Sequence, residues 1–496
     1  MKKILLVFLA ISLLSIVSCS KNENETNENA QQEPVRQLKP EEIREKIDQS
    51  FNANNSFDWN KSSTQLVWSA AQEGQQIISV GYGAPNESFS ENRDTKLTSM
   101  KDNILKLIAK YEEKEIKEIL IHDDDVLNFV DVKISKFKTI DALKQLNNVR
   151  YIEPTGYELD DSNCEKSSKG CSKSSEYISS ADYGTLYPSG AKIPWNYYTH
   201  KIKDAWSYSK GRGITVGVID TGVSDYQYNM GYRFDDYYSG RYIRKYGVYV
   251  DSWKWWATRT DGHHDKCGHG TSACSAIGAP NNSNHSPIGV AYECNIVSYR
   301  ATKDVVLNRY HERKGVTRAL KELARRSDVK IISMSIGYPW SIGNIKDAVR
   351  YAYSKHKMIF AAGGTSTAAT NWYPVIFPAS MSETVAVTGV EERSGYEECD
   401  VCHTGRKIDF TYVMERANNH HQPVTGYYNN GANYFGGSSV ATASTAGIAA
   451  LVWARHPSWN REQVFARMKW AAELYPNKSR NFGYGNVNAL KAVRGY

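Results

Sequence analysis

Apolar runs of strand length alternate with helical segments throughout the C-terminal part of the chain, from Trp195 to Tyr496. This alternation is typical of a mostly parallel sheet that is covered by helices on both faces. The clearest runs predict strands at Ile214–Ile219, Ile296–Tyr299, Ile331–Ser335, Met358–Ala362 and Thr384–Val387. We therefore expect an α/β fold whose functional side chains lie at the carboxyl ends of the strands.

Residues 75–158 have the pattern of a separate, smaller α+β domain. Ile104 and Ile108 recur at helical spacing, whereas Val130 and Val132 alternate with charged residues as in a strand. The predicted order of elements is strand, helix, two strands, helix, strand.

The other boundaries follow from composition. Residues 19–74 are rich in Asn, Glu, Gln and Ser and predict a tether with one helix near residues 40–51. Residues 159–190 are polar and predict an exposed linker before the large domain at 191–496. Hydrophobic residues make up 41% of the 496, which excludes wholesale disorder. The net charge of +7 is not concentrated in a basic stripe, so we expect no nucleic-acid partner.

Residues 1–18 have the features of an export signal. Lys2 and Lys3 precede an apolar run, Ile4–Val17, that is too short for a stable membrane span. The run ends before Cys19 in a sequence that resembles a bacterial lipobox, which implies lipid attachment to Cys19. We expect an extracytoplasmic protein held to the outer membrane or cell surface by this lipid; the alternative is a plain secretory signal with an incidental cysteine.

Three motifs carry groups for nucleophilic catalysis. Asp220 ends an apolar strand, His269 stands between two glycines, and Ser438-Ser439 opens a helix of very small residues, Ala441–Ala450. A serine hydroxyl becomes nucleophilic when an imidazole takes its proton, and a carboxylate orients that imidazole. A helix N-terminus adds free N–H groups and a positive dipole end for a developing oxyanion. The chain order Asp, His, Ser is one of the known orders of such triads.

These motifs together resemble the subtilisin-like serine proteases. The resemblance implies the subtilisin-like α/β fold, preceded by a small ferredoxin-like α+β propeptide at 75–158 that acts as the chain's own inhibitor. It also implies a polypeptide substrate and the catalytic residues Asp220, His269 and Ser439. The implied substrate-binding residues are Ser335, Ile336, Gly337, Ala361 and Gly363, with substrate added as a β-strand along 335–337.

The chain departs from this family at the oxyanion hole. The Ser439 N–H is retained, but Gly364 stands where the family has an Asn whose side chain donates to the oxyanion. Losing such a donor in subtilisin slows catalysis by about 10²–10³. Thr365, Ser366 or Asn371 could replace it, the enzyme could be slow, or the protein could be an inactive pseudoprotease.

Eight cysteines remain to be explained, and at most three disulfides form if Cys19 carries lipid. Cys164 and Cys171 could close a small loop, and Cys399 and Cys402 could close a tight one. Two of Cys267, Cys274 and Cys294 could also pair, and a Cys267–Cys294 bridge would pin the histidine loop. Cys399, Cys402 and His403 could alternatively bind zinc, but a second ligand pair at suitable spacing is missing.

No metal ligand and no organic cofactor is predicted with certainty. Residues 280–283 resemble the family's calcium loop but lack carboxylates, so a structural calcium is the one cofactor that the resemblance raises.

The sequence thus predicts an extracytoplasmic serine endopeptidase made as a self-processing zymogen. Self-cleavage between Glu153 and Ser180 would detach the catalytic domain from the lipid anchor. Two alternatives stay open: an inactive surface lipoprotein that binds peptides, and a dedicated maturase for one secreted peptide.

Overall fold

The alternating residues of the N-terminal part form a four-stranded antiparallel sheet in the computed structural model, which describes residues 35–159, 170–365, 374–393 and 396–495. The strands are β1 (Ile77–Tyr82), β2 (Leu120–Asp123), β3 (Phe129–Lys133) and β4 (Val149–Glu153). The helices are α1 (Pro40–Asn54), α2 (Thr64–Glu73), α3 (Thr95–Glu112), α4 (Ile116–Ile119) and α5 (Phe137–Lys144). In space the strands follow the order β2-β3-β1-β4. Apart from the short α4, the elements from β1 onward have the predicted order.

The predicted helix near residues 40–51 is confirmed as α1, but the predicted tether is wrong from Gln37 onward, because these residues are packed. Ile43, Ile47 and Phe51 recur every four residues, so they share one face of α1 and are buried. α1 packs on α2, and α2 packs on α5 and β1. The apolar spacing of these helices outweighs the polar composition that suggested a tether. We call residues 37–159 the N-terminal body.

The large domain is built on a seven-stranded sheet in which every neighbouring pair is parallel. Its strands and those of two flanking hairpins are β5 (Tyr183–Leu186), β6 (Ala191–Pro194), β7 (Thr215–Asp220), β8 (Ile243–Gly247), β9 (Asn295–Arg300), β10 (Val329–Met334), β11 (Met358–Ala362), β12 (Thr384–Glu391), β13 (Phe410–Glu415), β14 (Gln422–Thr425) and β15 (Ala432–Phe435). Its helices are α6 (Asn196–Thr199), α7 (Ile202–Ala205), α8 (His269–Gly278), α9 (Tyr310–Arg325), α10 (Gly343–Ser354), α11 (Gly437–Arg455), α12 (Arg461–Ala471) and α13 (Ala489–Arg494). All five predicted strands are found in the central sheet, which has the order β13-β12-β11-β10-β7-β9-β8.

Alternate residues of the central strands face two different cores. Val218 and Ile331 pack with α8 and α11, whereas Ile219 and Ile332 pack with α9 and α10. The N-terminal body shares the second of these cores. The predicted α/β architecture with helices on both faces is therefore confirmed.

Among the described residues, α11 is the one helix long and apolar enough to cross a membrane. It is buried almost throughout, as a core helix is, and it holds the Ser438-Ser439 pair in its first turn.

Candidate active site

Asp220 and His269 meet at the carboxyl edge of the central sheet. Asp220 is the last residue of β7 and His269 is the first residue of α8. His269 Nδ1 lies 2.8 Å from Asp220 Oδ1, and the Thr221 N–H donates to the same oxygen. Both side chains are buried, so this contact is shielded from water and salt. The imidazole is thereby oriented with Nδ1 toward Asp220, and Nε2 makes no hydrogen bond to the residues that the structure describes.

The Asp220 carboxylate also sets the charge preference of the histidine. Burial alone would lower the pKa of His269, but the negative charge of Asp220 and its hydrogen bond outweigh burial and raise the pKa above its ordinary value. A base of this kind is stabilised once it has accepted a proton.

Asp265 organises the histidine loop, and sequence reasoning missed it. Its Oδ1 accepts from the N–H groups of Cys267 and Gly268, each at 2.8 Å, and from the Thr221 hydroxyl at 2.9 Å. Its Oδ2 accepts from the N–H and hydroxyl of Thr271. Asp265 therefore fixes the start of α8 and ties it to the residue after Asp220. An Asp a few residues before a helix start was the available signal.

Ser439 lies in the first turn of α11, where backbone N–H groups have no partner within the helix. Its side chain is almost fully buried, and its carbonyl accepts a hydrogen bond from the Ser335 hydroxyl at 3.0 Å. Phe435, at the end of β15 just before this helix, packs edge-on against the His269 ring with centroids 5.1 Å apart. The three predicted catalytic residues thus come from the ends of β7, α8 and α11.

The predicted substrate edge is already paired in this structure. The Gly337 N–H donates to the Val305 carbonyl at 2.9 Å, and its carbonyl accepts from the Leu307 N–H at 3.0 Å. Ser335 and Ile336 are buried. The predicted substrate edge is therefore closed in this structure, and a substrate strand can pair with Gly337 only where residues 305–307 have moved away.

Ala361 and Gly363 lie deeper than the sequence suggests. Ala361 is fully buried within β11. The Gly363 N–H donates to the Val387 carbonyl, and its carbonyl accepts from the Ile376 N–H. Their main-chain groups are paired within the sheet and its connections.

Gly364 lies beside the start of α11. Its N–H donates to the Ser438 hydroxyl at 3.2 Å. The Thr365 hydroxyl lies 2.9 Å from the same oxygen and accepts from the Ser438 N–H at 3.2 Å. Ser366 and Asn371 lie outside the described residues.

A disulfide joins the predicted linker to the histidine loop. Cys171 pairs with Cys267, which corrects both the Cys164–Cys171 and the Cys267–Cys294 predictions; Cys164 lies outside the described residues. Cys267 precedes α8, whereas Cys294 packs at the far end of that helix against Gly278. A ten-residue helix is about 15 Å long, so the two cannot meet. Cys399–Cys402 is confirmed.

The segment around Cys171, residues 170–179, is packed on the large domain, and we call it the strap. A Cβ atom on Gly170 would lie 3.3 Å from His269 Cδ2 and 3.1 Å from Val305 Cγ1. The Glu176 N–H donates to the Ala432 carbonyl at 2.7 Å. The strap passes over the histidine and its Glu176 N–H bonds to β15, so the second half of the predicted linker at 159–190 is attached to the large domain, while residues 170 and 172–177 are exposed as predicted. The β5–β6 hairpin also crosses the predicted boundary at 190.

The residues at the proposed calcium loop do not fit a cation. Asn282 Nδ2 donates to the carbonyls of Pro280 and Ser286, and its oxygen accepts from the Ser286 N–H. The amide closes the loop by itself, and no carboxylate is present in it. No group of three or more His, Cys, Asp or Glu suited to a metal is found among the residues that the structure describes. The cysteines of the zinc alternative are bonded to each other.

Comparison with known proteins finds one matching family model and several similar proteins. A family model described as the subtilase family matches residues 211–485. M-protease of Shouchella clausii (strain KSM-K16) is 24% identical over 438 residues, covering 86% of this chain and 94% of that protein. Subtilisin E of Bacillus subtilis (strain 168) is 26% identical over 326 residues, covering 64% of this chain and 73% of that protein. The crystal structure of MycP1 from the ESX-1 type VII secretion system is 18% identical, with a TM-score of 0.47, covering 65% of this chain and 92% of that one.

Proposed function

This chain belongs to the subtilase family of serine endopeptidases, and on that premise we propose that it hydrolyses peptide bonds through Ser439, His269 and Asp220. The observation that carries the proposal is the buried 2.8 Å contact between His269 Nδ1 and Asp220 Oδ1. It leaves Nε2 free to accept a proton. Ser439, at the helix start that follows Phe435, is the hydroxyl that the family motif assigns to this base.

The proposed reaction proceeds in two acyl-transfer steps. The Ser439 hydroxyl attacks the scissile carbonyl carbon while His269 Nε2 takes its proton. The resulting oxyanion accepts from the Ser439 N–H, a free donor in the first turn of α11. His269 then protonates the leaving amine as the C–N bond breaks. Water hydrolyses the acyl ester by the same route and restores the serine.

A serine-reactive fluorophosphonate tests this assignment. We expect covalent labelling of one site, Ser439, as mapped by peptide mass spectrometry. Labelling at another serine, or none after the N-terminal body has been removed, would contradict the proposal.

We also propose that the N-terminal body is an inhibitory propeptide. Arg150 donates two hydrogen bonds of 2.7 Å to the Asp347 carboxylate of α10, and Lys321 of α9 donates to Asp124 at 2.6 Å. These four side chains are at least nine-tenths buried. Removing one partner of a buried ion pair typically costs about 3–5 kcal/mol. Such contacts support a tight, specific hold on the large domain.

The end of the N-terminal body leads directly to the closed substrate edge. The Leu159 N–H donates to Asn308 Oδ1 at 2.9 Å, and Asn308 Nδ2 donates back to the Leu159 carbonyl at 3.1 Å. Asn308 follows Leu307, whose N–H is bonded to Gly337. The propeptide is therefore anchored on the segment that closes the cleft, which supports inhibition of the uncleaved chain.

The hold of the propeptide is expected to weaken as the pH rises. Burial raises the pKa of Glu153 to about 7 from its ordinary 4.5, although the Gly343 N–H and Arg313 oppose the shift. A released, exposed Glu153 returns to its ordinary pKa, so docking favours the protonated form. The affinity of the propeptide for the large domain is thus greatest below pH 4.5. It falls by on the order of a hundredfold as the pH rises through 7.

Inhibition of the self-cleaved enzyme by its own propeptide, measured between pH 5 and about 9, checks this expectation. The Glu153→Gln variant keeps an acceptor for Gly343 without a titrating group and should flatten the profile. Inhibition by the propeptide that becomes stronger with rising pH would contradict this role of Glu153.

The position of the cut relative to Cys171 decides whether self-cleavage frees the enzyme. Residues from Gly170 onward pack on the large domain, so we expect the cut between Leu159 and Gly170. The two products should then separate on a denaturing gel without reductant, and the mature N-terminus should precede Cys171. If they separate only after reduction, the cut lies beyond Cys171, and the Cys171–Cys267 bond keeps the catalytic domain joined to its anchor.

We place the protein outside the cytoplasm, anchored through lipid on Cys19, which lies outside the described residues. Two disulfides in the described chain support an oxidising compartment. If the catalytic domain stays in the membrane fraction after verified cleavage before Cys171, simple release is wrong and the propeptide holds it non-covalently.

The strap, which lies beside His269 and is joined to the histidine loop by the Cys171–Cys267 disulfide, also favours a narrow choice of substrate, as in a dedicated maturase. Cleavage profiling with a mixed peptide library separates this from general proteolysis. Cleavage confined to a few related sequences supports the maturase, and broad cleavage rules it out.

A further inference from the structure

His403 lies beside the position at which the family carries its oxyanion-binding Asn. Thr365 is paired antiparallel with Cys402, and the His403 N–H donates to the Gly364 carbonyl at 3.0 Å. Residues that face each other across antiparallel strands project their side chains to the same side. The His403 side chain therefore shares the side on which a residue at position 364 would project.

The imidazole fills the space that a side chain at position 364 would need. A Cβ atom on Gly364 would lie 2.3 Å from His403 Nδ1 and 2.8 Å from its Cγ, which is closer than real atoms approach. Gly364 also has a φ of +128°, a conformation that side-chain-bearing residues rarely adopt. Glycine at 364 and histidine at 403 are thus complementary: the missing side chain makes room for the ring.

The ring is buried with unused hydrogen-bonding capacity. His403 is 4% exposed, and neither ring nitrogen makes a hydrogen bond of normal geometry to a described group. Burial lowers the pKa of His403 below its ordinary value, although the nearby Pro374 carbonyl favours the charged form. The imidazole is therefore neutral at neutral pH and keeps one N–H donor. The Pro374 carbonyl contacts the ring outside normal hydrogen-bond geometry, so this buried donor lacks a well-formed partner among the described residues, and such a donor is costly unless a ligand satisfies it.

His403 is also held rigidly next to the nucleophile turn. Its carbonyl accepts from the Thr388 hydroxyl at 2.7 Å, and the residue before it is locked in the Cys399–Cys402 disulfide. The Gly364 N–H donates to the hydroxyl of Ser438, the residue before Ser439. Gly364 itself offers no side chain between the ring and that turn.

The other described candidate is already engaged. The Thr365 hydroxyl is bonded to both the N–H and the hydroxyl of Ser438. We propose that His403 donates the second hydrogen bond to the oxyanion, in place of the amide that the family carries at position 364. The proton stays on the imidazole throughout; the ring stabilises charge and transfers nothing. This inference rests on the proposed attack by Ser439.

The test compares His403→Phe, which fills the space without an N–H, with His403→Asn and His403→Gln, which supply an amide donor near Nδ1 and Nε2, respectively. His456→Phe is the matched control, because it removes an imidazole just past the far end of α11. Each variant is made in the full-length chain and assayed after self-cleavage. The measurements are kcat and KM for a peptide substrate, affinity for a peptide boronic acid that forms a tetrahedral adduct, and affinity for the matching peptide amide.

We expect His403→Phe to lower kcat and boronic-acid affinity by about 10²–10³ while KM and amide affinity stay near the wild-type values. Either His403→Asn or His403→Gln should recover part of the kcat and part of the boronic-acid affinity. The variant that does so identifies whether Nδ1 or Nε2 is the donor. His456→Phe should behave as wild type. Thermal unfolding shows whether each variant is folded. If His403→Phe is not folded, the test is made with the two amide variants, by comparing their affinity for the boronic acid with their affinity for the peptide amide.

Wild-type kcat in folded His403→Phe, or an equal loss of amide and boronic-acid affinity, would overturn the role of His403 while leaving the protease intact. A wild-type enzyme that neither cleaves peptide nor reacts with fluorophosphonate would instead remove the proposed function itself.

Discussion

Replacing Ser439 with alanine is expected to abolish peptide hydrolysis and self-cleavage. Removing the nucleophile of such a triad lowers kcat by about 10⁶, because the acyl intermediate forms on this hydroxyl. The variant should accumulate as full-length precursor, seen as one band on a denaturing gel under reducing conditions. Its fold should persist, since Ser439 contributes its backbone carbonyl, not its hydroxyl, to the contact with Ser335.

Ser444→Ala is the matched control on the same helix. Ser444 lies further along α11, where its hydroxyl donates to Gln422 Oε1 at 3.2 Å, away from the helix start. This variant should mature normally. If Ser439→Ala matures as fast as wild type in a purified system, self-processing is excluded, and the peptide-binding alternative becomes the better account.

Replacing Asp220 with asparagine is expected to cost about 10⁴ in kcat. An amide can orient the His269 ring with the wrong nitrogen protonated, and it cannot stabilise the ring after proton transfer. The stability of the fold should change far less, because Asn is nearly the same size as Asp.

The pH profile of kcat/KM distinguishes the loss of the Asp220 charge from a general disruption of the active site. Activity needs neutral His269, and Asp220 raises its pKa, so the wild-type kcat/KM falls on acidification at a pH above the ordinary value for histidine. Without the carboxylate the pKa drops, and the acid limb of the residual activity should move to lower pH. Asp225→Asn, at a half-exposed carboxylate that contacts His263 and Lys245, should leave both kcat and the limb unchanged. If the acid limb of the pH profile does not move in Asp220→Asn, the Asp220 carboxylate does not determine the pKa of the catalytic base His269.

Short-range patterns were enough to predict the scaffold of the site. Strand-length apolar runs gave the central strands, and Asp220, His269 and Ser439 stand out because each sits at the end or start of such an element. Cys399 and Cys402 are three residues apart, so little chain entropy opposes their pairing. The edge strand β8 was not predicted, since its half-exposed residues carry no strong apolar signal.

Long-range pairing could not be predicted in the same way. Cys171 and Cys267 are separated by 96 residues, and nothing local indicates that the linker returns over the histidine. The closure of Gly337 by residues 305–307 likewise depends on a contact between distant segments.

The sequence alone determined the fold class, the family motifs and the missing side chain at position 364, because each is written in the identity and spacing of neighbouring residues. Only the tertiary structure decided that the strap covers His269, that the substrate edge is shut, and that the His403 ring occupies the space left by Gly364. These features arise where segments distant in the chain compete for the same volume, and packing in three dimensions settles which of them occupies it.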